Sequence, residues 1–139
     1  MKNYNCVLLV DDDPICNFIT YEILKKSIVC NEIYISRNGE EALTFLHEYQ
    51  FKNHCLPDVL LVDIQMPVMD GFEFLKKFEK LSFPGKEKTK VIMLSNIFSP
   101  SDIETLRKSG HSYYLNKPLD KDKLLDLLDI KEGLQAVMN

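Results

Sequence analysis

Three short runs of uninterrupted apolar residues, Cys6-Val7-Leu8-Leu9-Val10, Val59-Leu60-Leu61-Val62 and Val91-Ile92-Met93-Leu94, recur along the chain between longer stretches of helical period. Runs this short and continuous suit strands covered on both faces, as in a parallel sheet layered between helices. Two further segments, 32–36 and 111–115, are mixed, with Ile33 and Ile35 sharing one side of the first. Mixed patterning places those two at the sheet edges. Between the strands, Ile15, Phe18, Ile19, Ile23 and Leu24 form a helical apolar face ending near Ser27. Ala42, Leu43, Leu46 and Tyr49 form a second, and Phe74, Leu75 and Phe78 a third.

Helix starts and stops agree with that pattern. Asp13 precedes Pro14, Asn38 has Glu41 three residues on, and Asp70 has Glu73. Ser99 stands before Pro100 with Asp102 in the capping-box position, Asp120 opens a terminal helix, and Gly110 suits a helix end. Ser82 to Thr89, with Pro84-Gly85, is a polar connection. Five strands thus alternate with five helices in βα units of roughly 25 to 30 residues. The pattern predicts an α/β fold, a doubly wound five-stranded parallel sheet in the order 2-1-3-4-5.

At 139 residues, 45% hydrophobic and 27% charged, the chain reads as one domain with an adequate core. A net charge of -4 with no local Lys/Arg cluster argues against a nucleic-acid partner. No apolar stretch nears the roughly 18 residues of a membrane span, and the N-terminus lacks a signal-peptide pattern, so a soluble, cytoplasmic protein is expected. Cys6, Cys16, Cys30 and Cys55 contain no C-x-x-C pair, and His47, His54 and His111 are scattered, which disfavours zinc. Reduced, structural thiols are expected.

The candidate chemistry lies at strand ends. The first apolar run stops at Asp11-Asp12-Asp13 and the second at Asp63. If these strands are parallel neighbours, the carboxylates meet at the C-terminal edge of the sheet, where open α/β folds place ligands. Clustered carboxylates repel one another, and Mg2+ suits a site of a few oxygens plus waters. Asp12 and Asp63 would hold it, with Asp11 acting through water. Asp63 is then placed as a carboxylate nucleophile toward a phosphoryl group, giving an aspartyl phosphate. Ser95 and Lys117, at the ends of the next two strands, offer a hydroxyl and a cation for the phosphoryl oxygens. Asp13 and Asp70 are read as helix caps rather than ligands.

With these pieces in place, the chain resembles the receiver domain of two-component response regulators, the flavodoxin-like phosphoacceptor module of single-domain chemotaxis regulators. The resemblance rests on Leu9-Val10-Asp11-Asp12-Asp13-Pro14, Val62-Asp63-Ile64-Gln65-Met66-Pro67-Val68-Met69-Asp70-Gly71, Val91-Ile92-Met93-Leu94-Ser95 and Tyr114-Leu115-Asn116-Lys117-Pro118. It implies Asp63 as phosphoacceptor, Asp11 and Asp12 as the acidic pair, and the Gln65 backbone carbonyl in the metal shell. It also implies Ser95 as switch hydroxyl, Lys117 as phosphoryl-binding cation, a cis Lys117–Pro118 peptide and Tyr114 as switch aromatic. Ser95 stands where threonine is more usual and Asn96 where a small residue is. Gln65 and Ile97 occupy the positions that tune hydrolysis.

The resemblance further implies a receiver domain over 1–130 and a tail over 131–139 without an output domain. The donor would be a phosphohistidine on a sensor histidine kinase or histidine phosphotransfer protein. Output would pass to a protein partner through the fourth helix, last strand and last helix, including Ile103, Leu106, Arg107, Tyr114 and Lys123. Self-phosphorylation and self-dephosphorylation are chemistry on the module itself, so it is not expected to be an enzyme. Two other readings stand beside this one. A haloacid-dehalogenase-like phosphatase shares the aspartate and Mg2+, but Ile15 fails its D-x-D-x-[TV] signature. An inactive pseudo-receiver scaffold would require a lost pocket residue, and none is lost.

Overall fold

Continuous apolar runs become the interior of a parallel sheet. The computed structural model describes residues 3–27, 29–110 and 113–128. Strands β1 (Asn3–Val10), β2 (Val29–Ser36), β3 (Val59–Asp63), β4 (Lys90–Ser95) and β5 (Tyr114–Asn116) lie in the order β2-β1-β3-β4-β5, every pairing parallel. Helices α1 (Pro14–Ser27), α2 (Gly39–Asn53), α3 (Gly71–Glu79), α4 (Pro100–Lys108) and α5 (121–128) alternate with them. The two mixed strands are the sheet edges, as their composition requires.

Successive strand residues face opposite sides, so one sheet serves two cores. Leu8, Val10, Leu60, Val62 and Met93 pack with α2, α3 and α4 through Ala42, Leu46, Phe74, Phe78 and Leu106. Val7, Leu9, Leu61, Ile92 and Leu94 pack on the other face with Leu24 of α1 and Leu124 and Leu128 of α5. Register then aligns the strand ends: Val10 pairs with Val62, Asp63 with Leu94, and Ser95 with Asn116. All of the candidate chemistry falls on that one edge.

The caps form as their residue types dictate. Asp13 accepts from the Ile15 N–H at 3.0 Å, Asp70 from Glu73 at 2.9 Å, and Asp120 from Lys123 at 3.1 Å. Ser99 and Asp102 complete a reciprocal capping box. Asn38 accepts from the Glu41 N–H, while the Glu41 carboxylate reaches one residue further back than expected, to the Arg37 N–H at 3.1 Å. Gly110 takes a φ of +81 just past α4, which favours glycine.

Four expectations need correction. The stripe of Ile15, Phe18, Ile19, Ile23 and Leu24 expected on α1 is only partly inward, with Leu24 buried and Ile23 packed against the core. Ile15, Phe18 and Ile19 are exposed, while Asn17, Thr20 and Leu24 are buried. The start of α1 fixes its rotation, because Asp13 caps it and Asn17 bonds back to the strand end. Leu106 is fully buried in the core, so it cannot belong to an output surface. The strand begun at 32 starts at Val29, and the last strand runs Tyr114–Asn116 rather than 111–115. Residues 111–112 and the tail 131–139 lie outside the described residues.

The four cysteines are free thiols, with Cys6 buried, Cys16 and Cys30 half-buried and Cys55 exposed. Burial pushes the Cys6 thiol up to about 12 and, with help from Asp11, the Cys16 thiol up to about 11. Burial also raises Cys30.

Candidate functional site

The site is assembled from four strand ends and the turns that follow them. β1 delivers Asp11, whose backbone N–H donates to the Ser36 carbonyl of β2 at 3.0 Å. β3 delivers Asp63, and the Ile64 N–H continues the ladder by donating to the Leu94 carbonyl at 2.9 Å. β4 delivers Ser95, whose carbonyl accepts from the Lys117 N–H at 2.8 Å, tying the turn after β5 to the same edge. The Lys117–Pro118 peptide is cis. Gly71 is required here by space: a Cβ would lie 2.5 Å from the Asp63 carbonyl oxygen and 2.7 Å from the Ile64 Cα.

Lys117 lies between the two buried carboxylates, its Nζ 2.8 Å from Asp11 Oδ2 and 3.1 Å from Asp63 Oδ2. The contact to Asp11 Oδ2 is a short, buried ion pair. The other Asp11 oxygen accepts from the Asp13 N–H at 2.9 Å, and Asp63 Oδ1 accepts from the Gln65 N–H at 3.2 Å. Burial and the neighbouring Asp11 charge push the Asp63 carboxyl up from 3.8 to about 6, and Lys117 limits the rise. Burial alone would lower the Lys117 ammonium, but Asp11 and then Asp63 outweigh it and hold it above its ordinary value. Lys117 is therefore charged, and the pocket carries two anions around one cation.

One oxygen each from Asp11, Asp12 and Asp63 lie within 4.8 Å of one another. Asp12 is exposed, so solvent can fill further ligand positions. Hard carboxylate oxygens with room for waters are a donor set that fits Mg2+. Ser95 is buried beside them, and its hydroxyl donates to the Ile97 carbonyl at 2.9 Å. Tyr114 is 37% exposed on the edge strand, with its ring centroid 4.8 Å from that of Phe98.

Of the residues expected at the site, Asp11, Asp12, Asp63 and Lys117 converge. Ser95 stands on the adjoining strand end, and Gln65 contributes its backbone N–H to Asp63. Sequence reasoning missed the carbonyl of Ile97 as the resting partner of Ser95, which no side-chain pattern signals. It also missed Asn17, whose Nδ2–H donates to the Asp11 carbonyl at 2.9 Å. A polar residue within an otherwise helical apolar period was the available signal.

A doubly wound α/β sheet with acidic residues and a lysine at its carboxyl edge defines a class of phosphoryl-handling and nucleotide-handling domains. Residues 7–129 match the family model of the response regulator receiver domain. The chain is 27% identical to response regulator Rcp1 of Synechocystis sp. over 94% of its own length and 86% of that protein. It is 28% identical to the chemotaxis protein CheY of Halobacterium salinarum over 88% and 92% of the two chains. A two-component response regulator from Cytophaga hutchinsonii has a TM-score of 0.83 at 29% identity, covering 95% of this chain and 99% of that one. This chain belongs to the response regulator receiver domain family and is a phosphoacceptor signalling module. Such modules signal rather than turn over a separate substrate. Among the described residues, no helix is long and apolar enough to cross a membrane.

Proposed function

We propose that Asp63 accepts the phosphoryl group, from a phosphohistidine on a sensor histidine kinase or histidine phosphotransfer protein of the cytoplasm. The observation that carries this is the placing of Asp63: a buried carboxylate 3.1 Å from a charged lysine and beside a second acid. An Asp63 oxygen forms the new bond to phosphorus as the P–N bond breaks, and the imidazole leaves with its electron pair. Ion pairing to Lys117 keeps Asp63 from accepting a proton as readily as Asp11 and burial would otherwise make it. The lysine also supplies a fixed positive charge for the incoming phosphoryl oxygens. Asp11, Asp12, Asp63 and the Gln65 carbonyl are the groups that would hold Mg2+. Bound there, it neutralises charge on the phosphoryl oxygens.

The same reading assigns the switch to Ser95. Its hydroxyl leaves the Ile97 carbonyl for the phosphoryl oxygens, a charge-assisted bond stronger than the neutral one it replaces. Release of Ile97 loosens the turn that carries Phe98, the ring against Tyr114. The output surface then comprises Ile103, Arg107, Tyr114 and Lys123 on α4, β5 and α5, offered to a protein partner. Asp11, Asp12, Asp63, Ser95 and Lys117 are all present, so a pseudo-receiver has no support, and neither has a haloacid-dehalogenase-like phosphatase. Incubation with phosphoramidate, a small P–N donor, and Mg2+ should add one phosphoryl group, seen by intact mass. Asp63→Asn keeps the shape and removes the nucleophile, so it should gain none. A fully modified Asp63→Asn protein would overturn the assignment.

A further inference from the structure

The helix that follows the acidic turn buries an amide where its neighbours suggest a hydrocarbon. Asn17 is 8% exposed on the inward side of α1, at the start of a buried row continued by Thr20 and Leu24. An apolar side chain such as leucine would share the branching at Cγ and favour the helix more. What an amide does there is donate a hydrogen bond, and Asn17 Nδ2 gives one to the Asp11 carbonyl at 2.9 Å, shielded from water. That bond adds nothing to the cap, since the Asn17 backbone N–H already donates to the Asp13 carbonyl at 3.0 Å.

Its effect falls on Asp12. The Asp11 carbonyl belongs to the peptide plane that joins residues 11 and 12, and Asn17 fixes that plane. The next plane, joining 12 and 13, is fixed by the Asp13 N–H donating to Asp11 Oδ1 at 2.9 Å. Asp12 is exposed, so the backbone that carries it aims its carboxylate. Two held planes on either side leave its Cα–Cβ direction little freedom. We propose that Asn17 is a positioning residue of the phosphoacceptor site: by holding the Asp11 carbonyl, it aims the Asp12 carboxylate into the metal position. This rests on the reading of Asp12 as a metal ligand.

The test compares the whole chain with Asn17→Leu, which keeps the branched shape at greater bulk and removes the donor, with Asn17→Ala, which removes the donor without added bulk, and with Thr20→Val, a repacking control one turn on. In metal-free protein, the Asp12 amide NMR shift should move in Asn17→Leu and stay in Thr20→Val. The Mg2+ dissociation constant should rise about tenfold or more in Asn17→Leu, the usual effect of losing an outer-shell partner. Raising Mg2+ to saturation should restore most of the phosphoryl uptake from phosphoramidate. Mg2+ binding within twofold of wild type in Asn17→Leu, with the Asp12 amide unmoved, would overturn the inference. Equal loss in Thr20→Val would overturn it too, by assigning the effect to packing. Should Asn17→Leu fail to fold, Asn17→Ala is read by the same criteria. A wild-type chain that takes neither Mg2+ nor phosphoryl group would instead overturn the proposed function itself.

Discussion

At the scale of single residues, the site stores unfavourable energy in charge and in backbone. The Asp63 carboxyl lies at about 6 in the fold against an ordinary 3.8, burial being the larger cause and Asp11 the next. Between about pH 4 and 6 the folded protein therefore holds a proton that the unfolded chain has released, and stability falls as pH rises through that window. Above it the loss is complete and amounts to about 2–3 kcal/mol. Asp63→Asn should thus be more stable than wild type at pH 7 without Mg2+, the gap closing toward pH 4. Urea melts at several pH values check this, and a gap independent of pH would contradict it. The backbone contribution lies five residues on, where exposed Val68 takes a φ of +68 in a tight turn closed by the Met69 N–H donating to the Pro67 carbonyl at 2.7 Å. A β-branched residue is strained in that region. Val68→Gly should stabilise by about 1 kcal/mol, the relief of strain exceeding the extra entropy of the unfolded chain.

At the scale of elements, α1 separates what a sequence pattern carries from what it does not. Central strands were legible because burial on both faces leaves a continuous apolar run, and the caps were legible because Asp13, Asn38, Asp70, Ser99 and Asp120 act locally. The rotation of α1 was not legible, since it is set by a bond from Asn17 across to the strand end rather than by its apolar residues. Chemical denaturation separates the two phases. Leu24→Ala should lose about 3 kcal/mol, as for a buried leucine, and Phe18→Ser less than about 0.5 kcal/mol, as for an exposed position. The reverse order would restore the apolar-face reading. The same distinction explains Leu106, whose helical position alone could not separate a surface from a core leucine on a short, polar helix. Ser95 and Lys117 were legible from their places after strands, whereas the resting Ser95–Ile97 bond depends on a backbone carbonyl.

At the scale of the whole molecule, parallel register brings Asp11, Asp63, Ser95 and Lys117 to one edge, and the output surface proposed above lies on α4, β5 and α5. Ser95→Ala should still accept a phosphoryl group at Asp63, because the nucleophile and Lys117 remain. It should uncouple that event from the output surface. NMR shifts at Tyr114 and Phe98 that respond to phosphorylation alike in wild type and Ser95→Ala would contradict this coupling. The opposite edge of the sheet takes no part in this chemistry. There Cys55 stands exposed ahead of β3, so the length of a five-residue strand, on the order of 15 Å, separates it from Asp63. Cys6 is buried and Cys16 and Cys30 are half-buried, and the raised pKa of each leaves little thiolate at neutral pH. Maleimide chemistry at pH 7 should therefore mark the chain at Cys55 first, giving a fluorescent or spin-labelled handle at the pole remote from the switch without prior removal of the other cysteines.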